Sequence, residues 1–186
     1  MTLQTERLLL RRWEDGDAER LYEYASDPDV GPRTGWPPHR DIEESRYVIR
    51  NVLNGPEAYA ICLKADGRPI GSIELALNGR TDLTGRDDEC ALGYWLGKPF
   101  WGRGIMPEAI RALVRRGFEE LGMRRIWCAY YAGNEQSHRA MAKCGFRHER
   151  VREGVDVPLL HERRTEYVNS LTRAQWLEAQ EGGRHG

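Results

Sequence analysis

Residues 95–109, WLGKPFWGRGIMPEA, carry an apolar strand through a glycine-bearing turn into an amphipathic helix. Upstream, Ala91, Leu92, Gly93, Tyr94, Trp95 and Leu96 read as a buried strand; downstream, Ile105, Ala109, Ile110, Leu113, Val114 and Phe118 recur at helical spacing. Gly102 and Gly104 remove side chains where the backbone turns sharply and a ligand must come close. The first amides of a helix have no intrahelical partner and attract anionic oxygens, so this turn suits a pyrophosphate. A plain turn would use the same glycines. A dinucleotide site is disfavoured because Pro107 stands near the place of the third glycine, and a triphosphate-binding loop would need a lysine that does not follow.

At 186 residues the chain suits one well-buried core, so residues 1–186 are expected to form a single domain. The charged fraction is 31% yet the net charge is −1, which leaves no global basic field for nucleic acid. Cys62, Cys90, Cys128 and Cys144 form no CxxC pair and sit in apolar runs, as reduced core cysteines do. The opening MTLQTERLLLRRW has too short an apolar run for a signal peptide, and no segment approaches the roughly 20 apolar residues of a membrane span. The expectation is a soluble, cytoplasmic protein with no membrane or nucleic-acid partner, monomeric or homodimeric.

Residues 5–13 are strand-like, and 15–17 offer a turn and cap for a helix over 18–25 that packs through Ala18, Leu21, Tyr22 and Ala25. Residues 31–38, GPRTGWPP, form a loop, and Trp36 within it suggests a lid or wall on the substrate side. Asp41 opens a second helix through Ile42, Ser45, Val48, Ile49 and Leu53. A meander over 58–64 and 69–78 leads through a polar loop to the strand ending at Leu96. After the phosphate helix come a strand over 125–131, a short helix over 137–143, and terminal strands, the last over 161–171. A capped helix over 172–180 and a fraying tail over 181–186 complete the chain. This order indicates a mixed α/β sheet rather than alternating βα units.

A second motif, Asn134-x-x-Ser137 followed by Lys143-Cys144-Gly145-Phe146, joins WGRGIMPEA at a spacing that resembles the GNAT superfamily of N-acetyltransferases. YWLGKPFWGRGIMPEA, GNEQSHRAMAKCGF and the opening TERLLLRRW are similar, more narrowly, to the branch containing ribosomal-protein N-terminal (alanine/serine) acetyltransferases. The resemblance covers residues 5–171. It implies a mixed α/β (α+β) GNAT-type fold, whose central, mostly antiparallel, splayed sheet has about seven strands flanked by helices. It further implies acetyl-coenzyme A as cofactor. Its pyrophosphate would lie on the amides of Gly102, Arg103, Gly104, Ile105 and Met106, its pantetheine arm along Tyr94, Trp95 and Leu96, and its thioester end near Asn134 and Ser137. Asn134 as a turn residue, Ser137 as a helix cap and Arg103 as a solvated side chain are the competing structural roles.

Acetyl transfer to an amine needs a bound thioester, a neutral nucleophile, stabilisation of an oxyanion, and a proton for the leaving thiolate. The oxyanion partner is expected to be a backbone amide near residues 94–96. Many family members carry a proton-donating tyrosine seven positions after the asparagine; here that position is Met141, so Ser137 is the candidate acid, with sulfur or pantetheine binding as its alternative role. The branch commonly has Glu at the position of Ala91; Glu89, two residues earlier on the same strand face, is the candidate base, against an inert residue at a strand's end. Glu108 is read as a structural residue of the first helical turn, Glu74 as a residue facing the cleft, and no cluster has metal-ligand spacing. The resulting expectation is an N-acetyltransferase acting on a primary amine by direct attack in a ternary complex. A protein N-terminus is one acceptor, an antibiotic, polyamine or amino acid another, and a non-catalytic coenzyme A sensor a third reading. Residues 28–38 and 154–160 are expected to form the acceptor half.

Overall fold

Strand β5 (Glu89–Leu96) is shared by two sets of partners, and that sharing creates the cleft. In the computed structural model, which describes residues 1–77 and 79–182, the strands form one sheet of eight. They are β1 (Leu3–Gln4), β2 (Leu8–Arg11), β3 (Ala58–Leu63), β4 (Pro69–Ala76), β5, β6 (Arg125–Tyr131), β7 (Arg147–Val157) and β8 (Glu162–Thr172). Their order is β1-β2-β3-β4-β5-β6-β8-β7. Every neighbouring pair is antiparallel except β5 and β6, which run parallel from Glu89↔Arg125 to Leu92↔Cys128. Beyond Leu92, β5 stays with β4 as far as Leu96, while β6 stays with β8 as far as Tyr131. The two strands part, and the facing edges of residues 93–96 and 129–131 have no ladder with each other. Unpaired backbone groups at such an edge need another partner.

Among the described residues five helices cover the sheet: α1 (Ala18–Ala25), α2 (Ile42–Asn51), α3 (Ile105–Arg115), α4 (Glu135–Lys143) and α5 (Arg173–Gly182). Alternation along the strands sorts the two faces. On β3, Tyr59 and Ile61 join the cluster containing α3, while Ala60 and Cys62 join the one containing α1 and α2. Helix α3 buries Ile105, Met106, Ala109, Ile110, Leu113 and Val114. At about 1.5–3 kcal/mol for each large aliphatic side chain, this packing fixes the helix more firmly than its own propensity would. Its last turn widens into a π-turn over Arg116–Glu120, where Gly117 lies so close to Ile126 that an added Cβ would approach Cδ1 to 2.9 Å. Arg116 there donates to buried Glu57 at 2.8 Å.

The fold matches the expected mixed, mostly antiparallel, splayed arrangement, with eight strands in place of about seven. The extra strand arises at the start. Residues 5–7 turn instead of extending, Thr5 N donating to Leu8 O at 3.0 Å, so that Leu3 and Gln4 fold back on Leu10 and Leu9. The helix expected from Ser137 begins at Glu135, because Asn134 is its cap: Asn134 Oδ1 accepts from Ser137 N. Helix α5 extends to Gly182, so Glu181 and Gly182 are helical; the rest of the expected fraying tail, 183–186, lies outside the described residues, as does Asn78. The four cysteines are free. Among the described residues no helix is long and apolar enough to cross a membrane.

Candidate active site

The turn between β5 and α3 is held open by its own chemistry. Gly102 and Gly104 both have φ of 73°, in the left-handed region that L side chains avoid. No side chain caps Gly104, which leaves the first amides of α3 directed to the cleft. A latch behind the turn fixes it. Glu108 accepts from the Thr5 hydroxyl at 2.5 Å, from Arg7 N at 2.9 Å and from Arg7 Nε at 2.7 Å, while Arg7 Nη1 donates to the Arg103 carbonyl at 3.0 Å. Burial works to raise the Glu108 pKa, but the bonds from Thr5 and Arg7 outweigh it and the net shift is downward. Glu108 is therefore a structural carboxylate, as its place in the first turn suggested.

This turn forms one end of a cavity of about 210 Å³. Tyr94, Trp95 and Leu96 line it from the strand, Gly102, Gly104, Ile105 and Met106 from the turn and helix, and Asn134 and Ser137 from α4. Arg103 does not line it: its guanidinium lies over the Phe100 ring, 5.8 Å from the centroid, and its carbonyl is taken by Arg7. Two cations line the same cavity from α4: Lys143, which the second motif contains but to which no role was given, and Arg139, which the sequence reading passed over. Their i, i+4 spacing, which puts both on one face of the helix, was the available signal.

At the far end the Tyr94 hydroxyl lies 2.8 Å from Ser137 Oγ, where either hydroxyl can be the donor, and 3.2 Å from the Ser137 carbonyl. Burial pushes the Tyr94 phenol well above its ordinary pKa, so it keeps its proton. Asn134 does two jobs here: its oxygen accepts from Ser137 N at 3.3 Å, and its amide donates to the Arg33 carbonyl at 3.3 Å, tying the turn Gly31–Thr34 to α4. Met141, at the place of the family tyrosine, is buried in the core.

A second cavity, of about 170 Å³, meets the first at Arg33, Thr34, Tyr94, Asn134 and Ser137. It opens where β5 and β6 part, lined by Leu92 and Gly93 on one strand and Cys128 and Ala129 on the other. Of the expected acceptor half, Arg33 and Thr34 reach it, but no residue of 154–160 does; Glu166 of β8 lines it instead. Trp36 packs inward, edge-on to Trp95 at 5.7 Å, so the wall is made by its neighbours. Glu166 was legible only as a carboxylate on the same strand face as buried Val168.

The other candidates fall elsewhere. Glu89 lies outside both cavities, five residues before Tyr94 and so roughly 16 Å away along the strand. Its carboxylate is taken by Trp127 Nε1 at 2.6 Å and the Thr84 hydroxyl at 2.7 Å. Glu74 also lines neither cavity; burial raises its pKa against the pull of Arg80. Burial pushes the thiols of Cys62 and Cys144 up to about 11 and that of Cys90 to about 12, and raises that of Cys128 further, so none supplies a thiolate near neutrality. Among the described residues no three His, Cys, Asp or Glu side chains gather as a metal site.

The sequence matches the acetyltransferase (GNAT) domain over residues 7–147. The chain belongs to the GNAT acetyltransferase family. It is 36% identical over 184 residues to a putative ribosomal N-acetyltransferase, YdaF, of Bacillus subtilis (strain 168), covering 92% of this chain and 94% of that one. It is 28% identical over 156 residues to an alanine N-acetyltransferase of ribosomal protein uS5 from Escherichia coli (strain K12), covering 79% and 78%. The crystal structure of a GNAT-family acetyltransferase from Bacillus anthracis superposes with a TM-score of 0.81 at 25% identity, covering 94% of this chain and 99% of that one. The protein is therefore a GNAT acyltransferase, of a family that acts on amine acceptors.

Proposed function

We propose that this GNAT protein, acting as one domain, transfers the acetyl group of acetyl-coenzyme A to a primary amine by direct attack in a ternary complex, with a protein N-terminal α-amine as the acceptor. The observation that carries this reading is the meeting of two cavities at Tyr94 and Ser137, with a phosphate-suited turn at the outer end of only one of them. The names of the relatives that act, or are described as acting, on ribosomal proteins support the choice of acceptor.

The residues present fit the donor. Open amides at residues 102–106 suit a pyrophosphate, Arg139 and Lys143 add positive charge to the same wall, and the edge of β5 at residues 93–95, short of the Leu96 carbonyl that Trp101 Nε1 occupies, offers backbone partners to an extended amide chain. When bound, acetyl-coenzyme A supplies an acetyl thioester whose thiol has a pKa near that of free cysteine, about 8.5. Ser137 can pass a proton to a leaving sulfur while accepting one from Tyr94 behind it, across their 2.8 Å contact. A backbone amide at residues 94–96 would meet the oxyanion. With all four thiols protonated, no cysteine is ready to hold the acetyl group on the protein, which favours direct transfer over a covalent relay.

The test is thiol release from acetyl-coenzyme A with a panel of amines: peptides with free N-terminal alanine or serine, the same peptides blocked at the N-terminus, spermidine, and an aminoglycoside. Release with the free peptides alone is the expected result. Release with spermidine or the aminoglycoside alone would overturn the choice of acceptor, and tight coenzyme A binding with no release would overturn the enzymatic reading.

A further inference from the structure

The second cavity holds one carboxylate, and its surroundings leave that group short of partners. Glu166 stands directly opposite Tyr131 across the β6–β8 pair, so the two side chains share a sheet face. That face is the one away from α4, because the intervening Tyr130 stacks on His138 of α4 at 5.2 Å. Glu166 thus reaches the gap between β5 and β6 from the side opposite α4, toward Tyr94 and Ser137. Its side chain is 12% exposed.

The cations around Glu166 give their hydrogen bonds to other groups. From β7, Arg152 Nη1 comes within 3.2 Å of Glu166 Oε2, but both atoms are buried without a hydrogen-bond partner. Arg152 commits Nη2 to Asp82, from the loop before β5, at 2.5 Å. Arg150, also on β7, donates to the Leu83 carbonyl and lies over Trp127. Arg33 lies over the Trp101 ring on the donor side. Arg164, on Glu166's own strand, pairs with Glu162 and donates to the Pro32 carbonyl. Arg152 is thus shared between Asp82, to which it donates, and Glu166, which it faces as an ion pair without a hydrogen bond, so the buried Glu166 carboxylate keeps acceptor capacity unused. A buried charge in that position gains most from a cationic donor.

Resting on the acetyltransfer reading above, we propose that Glu166 is the acceptor-side catalytic residue, binding the incoming ammonium in the second cavity and taking its proton. The ammonium gives one proton to the Glu166 carboxylate, and the freed amine nitrogen then bonds to the acetyl carbon as the carbon–sulfur bond breaks. The departing sulfur takes a proton from Ser137, which takes one from Tyr94; a second proton from that nitrogen restores the pair, the third stays on the amide, and Glu166 returns its proton to solvent. Burial raises the carboxyl pKa of Glu166, and nearby Asp82 adds to the rise, against the pull of Arg152 and Arg150.

Three measurements on the full chain test this, with a short peptide bearing a free N-terminal alanine as the probe. Thermal unfolding and calorimetric titration with coenzyme A establish that E166Q folds and holds the donor; if it does not fold, E166D, which keeps the charge, replaces it. In the second, protein saturated with coenzyme A is titrated with the peptide. Wild type should bind it about tenfold or more tightly than E166Q, with E166D between them, as expected for loss of a hydrogen bond to a charged group. Equal binding by wild type and variant, or no binding by wild type, overturns the assignment.

In the third, E166Q should lose about 10²-fold in kcat near neutral pH, the usual scale of general-base catalysis, and the loss should shrink above the peptide amine's own pKa, where the nucleophile arrives neutral. A loss of the same size at every pH would overturn the proton-transfer role. If wild type releases no thiol with any amine, the acetyltransfer reading fails instead, and the peptide titration alone decides whether Glu166 anchors an ammonium.

Discussion

Tyr94 and Ser137, 43 residues apart in the chain, place their hydroxyl oxygens 2.8 Å from each other at the boundary between the two cavities. Neither residue alone is a good acid. The serine proton is held too tightly, and burial raises the phenol's pKa. As a pair they form a two-step chain in which Ser137 need never carry a full negative charge. Ser137→Ala should lower kcat by about 10- to 100-fold, at the low end of general-acid effects, with coenzyme A affinity within about twofold of wild type. Tyr94→Phe should give a smaller loss, and the double variant should be little worse than Ser137→Ala, because residues acting as one unit are not additive. Thiol-release kinetics with calorimetry on each variant would show this; a purely additive double variant would separate the two hydroxyls.

Gly104 should govern donor binding through its backbone. A Cβ there would meet nothing nearer than Arg7 Nη2 at 3.6 Å, so substitution meets little steric resistance from the protein itself. The cost is the φ of 73°, about 1–2 kcal/mol for a residue other than glycine. Gly104→Asn, which tolerates that conformation better, should spare most of this stability, whereas Gly104→Ala should not. Both place a Cβ in the anion cradle, and both should weaken coenzyme A binding by about tenfold or more, the worth of a charge-assisted hydrogen bond. Chemical denaturation and calorimetry separate the two effects; an unchanged dissociation constant in both would remove the pyrophosphate from this turn.

The Glu108 latch makes the turn sensitive to acid. Its folded-state pKa lies below the ordinary glutamate value, because bonds from Thr5 and Arg7 outweigh the opposing effect of burial. The stabilisation is therefore fully present above the unfolded-state pKa, about 4.3, and is lost as pH falls through the lower folded-state value. In Glu108→Gln the dependence of unfolding free energy on pH should flatten in that acidic window. At neutral pH the same variant should weaken coenzyme A binding, since Arg7 would no longer be held against the Arg103 carbonyl. Urea titrations between neutral and acidic pH, wild type against variant, measure the first; an identical pH slope would show that the latch is not a titrating contact.

What could be read from the sequence was what the chain makes locally. The strand 125–131, the helix 18–25 and the glycine turn all rest on spacing within a dozen residues, and the structure forms each of them. The lining of the first cavity follows for the same reason, since Gly102, Gly104, Asn134 and Ser137 lie in two short contiguous motifs. The second cavity was hidden because it depends on register. Glu166 reaches the second cavity only because β8 pairs with β6 so that it falls opposite Tyr131, and no residue near it in sequence signals that pairing. The first strand was misjudged for a similar reason: residues 5–7 have an extended-strand composition, but Glu108, a hundred residues away, draws Thr5 and Arg7 into a turn.

Glu89 illustrates how strand alternation alone misleads. It shares a face with Ala91, as expected, but that face leads at its end of β5 to Trp127 and Thr84. The side chain is 13% exposed, and Arg86 lies 3.6 Å from its carboxylate. A carboxylate so placed holds the polar loop before β5 against β6. Glu89→Ala should leave the Trp127 indole N–H without its acceptor and lower unfolding free energy by about 1–3 kcal/mol. Its turnover per folded molecule should fall far less than that of E166Q, and its kcat–pH profile should keep the wild-type acidic limb. If the stabilities of wild type and Glu89→Ala coincide while the acidic limb disappears, the base lies at Glu89, and the carboxylate of the second cavity has another role.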